Sequence, residues 1–348
     1  MRPLTPEKEI AALSDRYLPE LEISLKNSIP VSDSNFYGLM RYHLGWESVE
    51  GTSTKSDTGK RLRPLLCLAS CEMSGGDWKS ALPAATALEL IHNFSLLHDD
   101  VQDGDQTRRG RATVWSIYGV GQAIAAGNAM RVVADQALLN IKTSNIDHMS
   151  AVKAGEELTL RYLEMIEGQY LDMSFESATS VSTDQYVDMI SRKTGALIEA
   201  SMHNGSIIAT GKAGFARTFG ICGRKLGLAF QMRDDLLGIW GNPQLTGKAV
   251  GADIYRKKKS LPVLFLFQHA NENDKSWLTD TYRKDVISDS DLARILNLME
   301  SLKVRDFVQS EAEKYAEAAV NGISELDISP ESQQKIQAIA NFFVTRDK

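Results

Sequence analysis

The 348 residues carry a net charge of −6, with 43% hydrophobic and 24% charged side chains. An acidic balance speaks against nucleic acid as a partner, because a phosphate backbone asks for a basic surface, and the apolar content is ordinary for a soluble globular protein. No apolar run approaches the ~18 residues of a membrane span. From the polar, proline-bearing start MRPLTPEKEI no secretory signal is expected. Cys67, Cys71 and Cys222 have neither metal-ligand spacing nor a local His, so reduced core cysteines of a cytoplasmic protein are expected.

Nine prolines, with none between Pro83 and Pro243, suit long helices rather than turn-rich β structure. The length exceeds the ~250–300 residues at which single cores usually stop growing. Still, no Pro/Gly/Ser linker or charge block divides the chain, so residues 1–348 are expected to form one all-α domain, a helical bundle around a central cavity.

In chain order, residues 1–30 read as helical without identifiable chemistry. Gly59-Lys60-Arg61-Leu62-Arg63-Pro64 places Lys60 and Arg63 one helical turn apart, two cations suited to phosphate oxygens. The next helix contains His92, Phe94 and Ser95 and ends in Asp99-Asp100-Val101-Gln102-Asp103. Asp99 and Asp103 (i, i+4) share a face with Asp100 beside them. Such a carboxylate ledge repels itself, whereas Mg²⁺ accepts one or two carboxylates, several waters and the oxygens of a substrate phosphate. Arg108-Arg109 follow directly, supplying positive charge.

Leu158, Leu160, Tyr162, Leu163, Ile166, Tyr170 and Met173 then give an apolar helical spacing. Gly168-Gln169 with Asp172, and Lys193-Thr194-Gly195, come next. A second ledge, Asp234-Asp235, follows Gln231 and is stopped by Gly241-Asn242-Pro243. Gln244 to Ser260 reads as a flexible lid carrying Lys248 and Lys258, and residues 275–348 read as helical. One aspartate pair on a helix is usually a solvated face. Two pairs embedded in apolar residues point instead to a metal clamp that holds a diphosphate. Alone, His92 would be a core histidine and Gln231 a surface amide.

Taken together and in this order, the residues from about 59 to 262 resemble the trans-isoprenyl diphosphate synthases, the polyprenyl synthetase family. The resemblance implies an isoprenoid-synthase helical bundle and a prenyltransferase. Its substrates would be isopentenyl diphosphate and an allylic diphosphate (dimethylallyl, geranyl or farnesyl). It further implies Asp99, Asp103 and Asp234 as ligands of Mg²⁺, three ions with bound diphosphate, and Asp100 and Asp235 as supporting carboxylates. Arg108, Lys193, Lys248 and Lys258 would hold the allylic diphosphate, with Thr194 and Gln231 nearby. Lys60, Arg63, His92 and Arg109 would hold that of isopentenyl diphosphate. A homodimer is implied as well.

Phe94, roughly 7.5 Å along the axis from Asp99, is expected as the floor that limits chain growth, with Ser95 leaving room beside it. A C20 product is favoured and C15 comes next. Two departures from the family pattern are Gly238, where a third aspartate of the second ledge would stand, and Asn128, where Asp is common. A class I terpene cyclase and a noncatalytic regulatory subunit are the competing readings. Lys60, Arg63 and His92 speak against the first, and the intact aspartates against the second.

Overall fold

The structure is a computed structural model that describes the chain apart from residues 1–4, 32–34, 55, 57–58, 144–145, 179, 247–248 and 348. In chain order it contains α1 (Pro6–Ser28), α2 (Phe36–His43), α3 (Leu62–Met73), α4 (Leu82–Gln102), β1 (Thr107–Arg108), β2 (Arg111–Ala112), α5 (Val114–Tyr118), α6 (Val120–Leu139) and α7 (His148–Ser177). There follow α8 (Thr183–Ile190), α9 (Ala196–Thr210), α10 (Ala213–Trp240), α11 (Pro243–Thr246), α12 (Ala252–Tyr255), α13 (Leu261–His269), α14 (Glu272–Arg283), α15 (Asp289–Ser301), α16 (Val304–Ser324) and α17 (Pro330–Thr345). The expected all-α class is therefore observed, with one short hairpin added. Contacts divide the chain into two compact units, Ala11–Tyr162 with Leu197–Gly220, and Met1–Ile10 with Leu163–Ala196 and Ile221–Lys348. Every boundary falls inside a helix.

In the first unit α4 is the centre. Pro83 starts it where a missing N–H costs nothing, and Leu88, Leu90, Ile91 and Leu97 are buried. Glycines permit close helix packing. A side chain at Gly205 would overlap the Cys67 carbonyl of α3, and one at Gly127 would overlap the His98 ring. The start of α3 differs from the expected helical turn. Arg61 takes a left-handed conformation at its N-cap, so Lys60 lies before the helix and is exposed. The buried Arg61 guanidinium instead pairs with Glu22 at 2.9 Å and Glu89 at 2.7 Å, fastening α3 to α1 and α4.

In the second unit α10, α13, α15, α16 and α17 bury Leu226, Ile239, Leu266, Ile295, Val308 and Phe343. Side chains set three helix starts in this unit: Ser182 and Gln185 form a capping box on α8, Ser288 and Asp291 one on α15, and Ser329 caps α17. The segment expected as a flexible lid carries main-chain hydrogen bonds in its described part. Gly251 N–H donates to the Ile239 carbonyl at 2.9 Å and Lys258 N–H to the Asp253 carbonyl at 2.9 Å, around the single turn of α12. Lys248 lies outside the described residues.

Helix α7 corrects the simple reading of its apolar spacing. Leu158 and Met165 are buried, whereas Leu160, Leu163, Ile166 and Tyr170 are exposed. At about 100° per residue these sets fall on opposite faces, so the helix is apolar on both.

Candidate active site

Helix α4 carries the first aspartates into its C-terminus. Asp103 is the C-cap, its N–H bonded to the Asp99 carbonyl at 2.8 Å, which keeps the two in helical register just as the chain leaves the helix. Asp100 is buried and is clamped by Arg108, whose Nε donates to its Oδ1 at 2.6 Å. Burial outweighs that ion pair and pushes the Asp100 carboxyl up to about 6. Asp99 is half-buried and Asp103 exposed, so the ledge grades from a structural carboxylate to an open one.

The arginines after the ledge form a two-stranded hairpin with Thr107 opposite Ala112 and Arg108 opposite Arg111. Both central residues, Arg109 at φ 51° and Gly110 at φ 72°, are left-handed, as a tight primed hairpin turn demands. Arg109 accepts a conformation unusual for a side chain of its size. Its guanidinium lies on Gly59, where an added Cβ would stand 2.6 Å from Nη2. The glycine of GKRLRP is thus a seat for Arg109.

Behind the hairpin is a cationic pocket that sequence inspection only half revealed. His92 is kept neutral by burial and then by Arg63, Arg109, Arg108 and His43. His43, at the end of α2, is driven down to about 3 by burial and then by Arg109, Arg108, Arg61 and Arg111. Burial lowers even the Arg63 guanidinium to about 10. Among the described residues His43 Nε2 and Arg63 Nε are buried without a hydrogen-bond partner. Buried basic side chains with unsatisfied polar nitrogens suit an anionic ligand. His43 was invisible in the sequence because its helix carries no motif. Of the predicted residues, Arg63, Arg108 and Arg109 all act electrostatically on the His92 ring, while Lys60 lies exposed ahead of α3. Phe94 is buried edge-on against His98 at 5.5 Å, and Ser95 Oγ donates to the His92 carbonyl at 2.8 Å.

The second unit holds the other aspartates on α10. Asp235 is buried and accepts from the Tyr186 hydroxyl, from Gln231 Nε2 at 3.2 Å and from Leu261 N–H at 3.2 Å. Thr194 Oγ1 donates to Gln231 Oε1 at 2.9 Å, extending the chain of bonds. Burial raises the Asp235 carboxyl to about 6, against the pull of Lys258 and Tyr186. Burial lowers the Lys258 ammonium, but Asp235, Asp253, Asp172 and Asp234 outweigh it and hold the amine protonated beyond its ordinary range. Lys193 is paired with Asp172. Lys193 and Thr194 sit in a π-helical turn, Ser191–Gly195, a local widening often found at functional sites. Gly168 makes room for it, since a Cβ there would stand 2.6 Å from the Lys193 Cα.

Arg346 and Arg233 of this cluster escaped sequence reading, whereas Asp253 is among the residues that carry the family resemblance. Arg346, past the end of α17, donates Nη2 to Asp234 Oδ1 at 2.9 Å, and its guanidinium lies 3.9 Å over the Phe230 ring. Arg233 Nε holds the Arg346 carbonyl at 2.9 Å. Asp253 is buried beside Gly238, with its carboxylate in the space a side chain there would take.

Residues 51–299 match the model of the family described as polyprenyl synthetase. The chain is 34% identical to the (2E,6E)-farnesyl diphosphate synthase of Mycobacterium tuberculosis, over 99% of this chain and 97% of that protein. It is 37% identical to the geranylgeranyl diphosphate synthase of the same organism, over 83% and 82%. Its fold is similar to that of the geranylgeranyl pyrophosphate synthetase of Pyrococcus horikoshii, with a TM-score of 0.86, 33% identity and 98% and 99% coverage.

Proposed function

The chain belongs to the polyprenyl synthetase family and is a prenyltransferase, and from that premise we propose a magnesium-dependent, all-trans short-chain synthase with geranylgeranyl diphosphate as product. It would join isopentenyl diphosphate to dimethylallyl, geranyl or farnesyl diphosphate. The observation that carries this reading is the cationic pocket around His43 and His92. A terpene cyclase has one diphosphate to bind and no use for a second such pocket. The intact aspartates of both clusters count against a noncatalytic subunit.

The donor set fits magnesium. Both clusters offer hard carboxylate oxygens from aspartates. That pattern suits an ion that keeps its waters and takes phosphate oxygens from substrate. Asp99, Asp103 and Asp234 would hold the ions, three with bound diphosphate, and Asp100 and Asp235 would support them. When bound, Mg²⁺ neutralises charge on the leaving diphosphate.

The chain's own residues do the rest. Arg108, Lys193, Lys248 and Lys258 present fixed positive charge to the allylic diphosphate as its C–O bond breaks, stabilisation that needs no reorganisation at that moment. Thr194 and Gln231 fix the orientation of Asp235. Lys60, Arg63, His92 and Arg109 hold isopentenyl diphosphate so that its double bond meets C1 of the allylic cation. The released pyrophosphate takes the proton, so no side-chain base is required. Phe94, with Ser95 beside it, sets chain length as an aromatic floor. A C15 product is the second reading, favoured by the full-length similarity to a farnesyl diphosphate synthase.

We read residues 1–348 as one cytoplasmic domain that pairs with a second copy through the exposed apolar face of α7. No helix among the described residues is long and apolar enough to cross a membrane. Incubation with Mg²⁺, isopentenyl diphosphate and each allylic diphosphate in turn should yield a C20 diphosphate. A cyclic hydrocarbon or no product overturns the reading. Asp99→Ala and Asp234→Ala should each lose several orders of magnitude in turnover with the helical circular dichroism intact.

A further inference from the structure

Gly238 stands on α10 one turn beyond Asp234, at the place where the second cluster lacks a carboxylate. The position is buried. A Cβ built on it would overlap the Asp253 carboxylate, the nearest atom being Oδ2 and even Oδ1 lying at 3.0 Å. Asp253 arrives from the other side of the chain reversal. Left-handed Gly251 (φ 74°) caps the turn of α12, its N–H is tied to Ile239 of α10, and the Asp253 carbonyl accepts from Lys258 N–H at 2.9 Å. The same turn therefore sets both Asp253 and Lys258 against the aspartate helix, and Asp253 is one of the four carboxylates whose field acts on the Lys258 ammonium.

We propose that Asp253 supplies the third carboxylate of the second aspartate cluster from the space that Gly238 leaves open, as a positioning residue for Lys258 and for the waters kept by the metal. A carboxylate at 238 would not complete the cluster but would displace the one already there. The glycine is thus a specific fit and not a lost ligand. Displacement need not unfold the protein, because the atom in the way is the end of a short side chain that can rotate, and Ala or Asp replaces Gly in a helix interior with a gain in helix propensity. Stability and metal response should separate.

This inference rests on Asp234 as a magnesium ligand, so the test contains a control for that. The full chain is titrated with Mg²⁺ in the presence of inorganic pyrophosphate, and the rise in melting temperature is followed beside activity. The wild type should respond and Asp234→Ala should not; absence of any wild-type response defeats the functional reading itself. Given a wild-type response, Gly238→Ala and Asp253→Asn should each need about tenfold more Mg²⁺ for the half-maximal shift, the usual scale for supporting groups around a metal. Gly238→Ala should melt no lower than the wild type without metal. Gly238→Asp combined with Asp253→Ala returns one carboxylate to the shared space and should recover most of what Asp253→Ala loses. A wild-type Mg²⁺ requirement in Gly238→Ala or Asp253→Asn, or a lowered one in Gly238→Asp alone, overturns the proposal.

Discussion

Arg346 lies on Asp234 with its guanidinium buried and the carboxylate nearly half open to solvent. An ion pair of this kind is worth at most about 1 kcal/mol after screening, yet it places a positive charge where a metal would have to compete. Arg346→Ala should therefore lower the Mg²⁺ concentration for the half-maximal melting shift by roughly threefold, the factor that about 0.6 kcal/mol gives. An unchanged requirement would show that the arginine anchors the chain end and nothing more. His43 offers a separate test in the cationic pocket. Its folded pKa, about 3, lies below the ordinary 6.5, so the unfolded chain takes up a proton that the folded chain refuses. The stability that the neutral ring contributes is present above pH 6.5 and is lost as pH falls toward 3. His43→Gln, which cannot titrate, should gain on the wild type in melting temperature between pH 7 and pH 5. Inorganic pyrophosphate should narrow that gain by neutralising the neighbouring arginines. A pH-independent difference would remove His43 from the pocket's electrostatics.

At the level of elements, the π-helical turn Ser191–Gly195 and the close approach of Gly168 form one device. A methyl group at 168 meets the Lys193 main chain, which cannot rotate away as a side chain can. Gly168→Ala should cost roughly 1–3 kcal/mol by overpacking, more than the helix propensity it gains, read as a lower midpoint in urea. A neutral result would mean that the turn is tolerant of displacement. This contact also shows where the sequence stopped being legible. The two aspartate pairs, His92 and the Arg108-Arg109 step could be read because their chemistry is local and the helix period fixes their faces. The π turn could not, since it depends on a glycine more than twenty residues away in the chain. The hairpin was missed for a similar reason: Arg109 in a left-handed conformation is a cost that the Gly59 seat and the strand pairing offset, and propensity alone counts only the cost. Arg346 reaches the second cluster through tertiary folding, which no spacing announces, and Asp253, legible as part of the motif series, gave no sign of its approach to Gly238.

For the whole molecule, the decisive surface is the outer face of α7. Leu160, Leu163, Ile166 and Tyr170 are 56%, 51%, 43% and 66% exposed, and Met149 and Val152 continue the stripe toward the helix start. A helix that already buries Leu158 and Met165 has satisfied its core face, so a second apolar stripe has no function within the fold. Side chains of this size each return about 1.5–3 kcal/mol when fully buried. Covered by the same stripe of a second copy, they would be self-complementary, as a twofold interface requires. The protein should therefore sediment as a dimer at micromolar concentration. Leu160→Glu with Ile166→Glu should shift it to monomer while leaving the circular dichroism of the helices unchanged, because neither residue faces the core. Monomeric wild-type protein, or a dimer that survives both charges, would assign the stripe to some other partner.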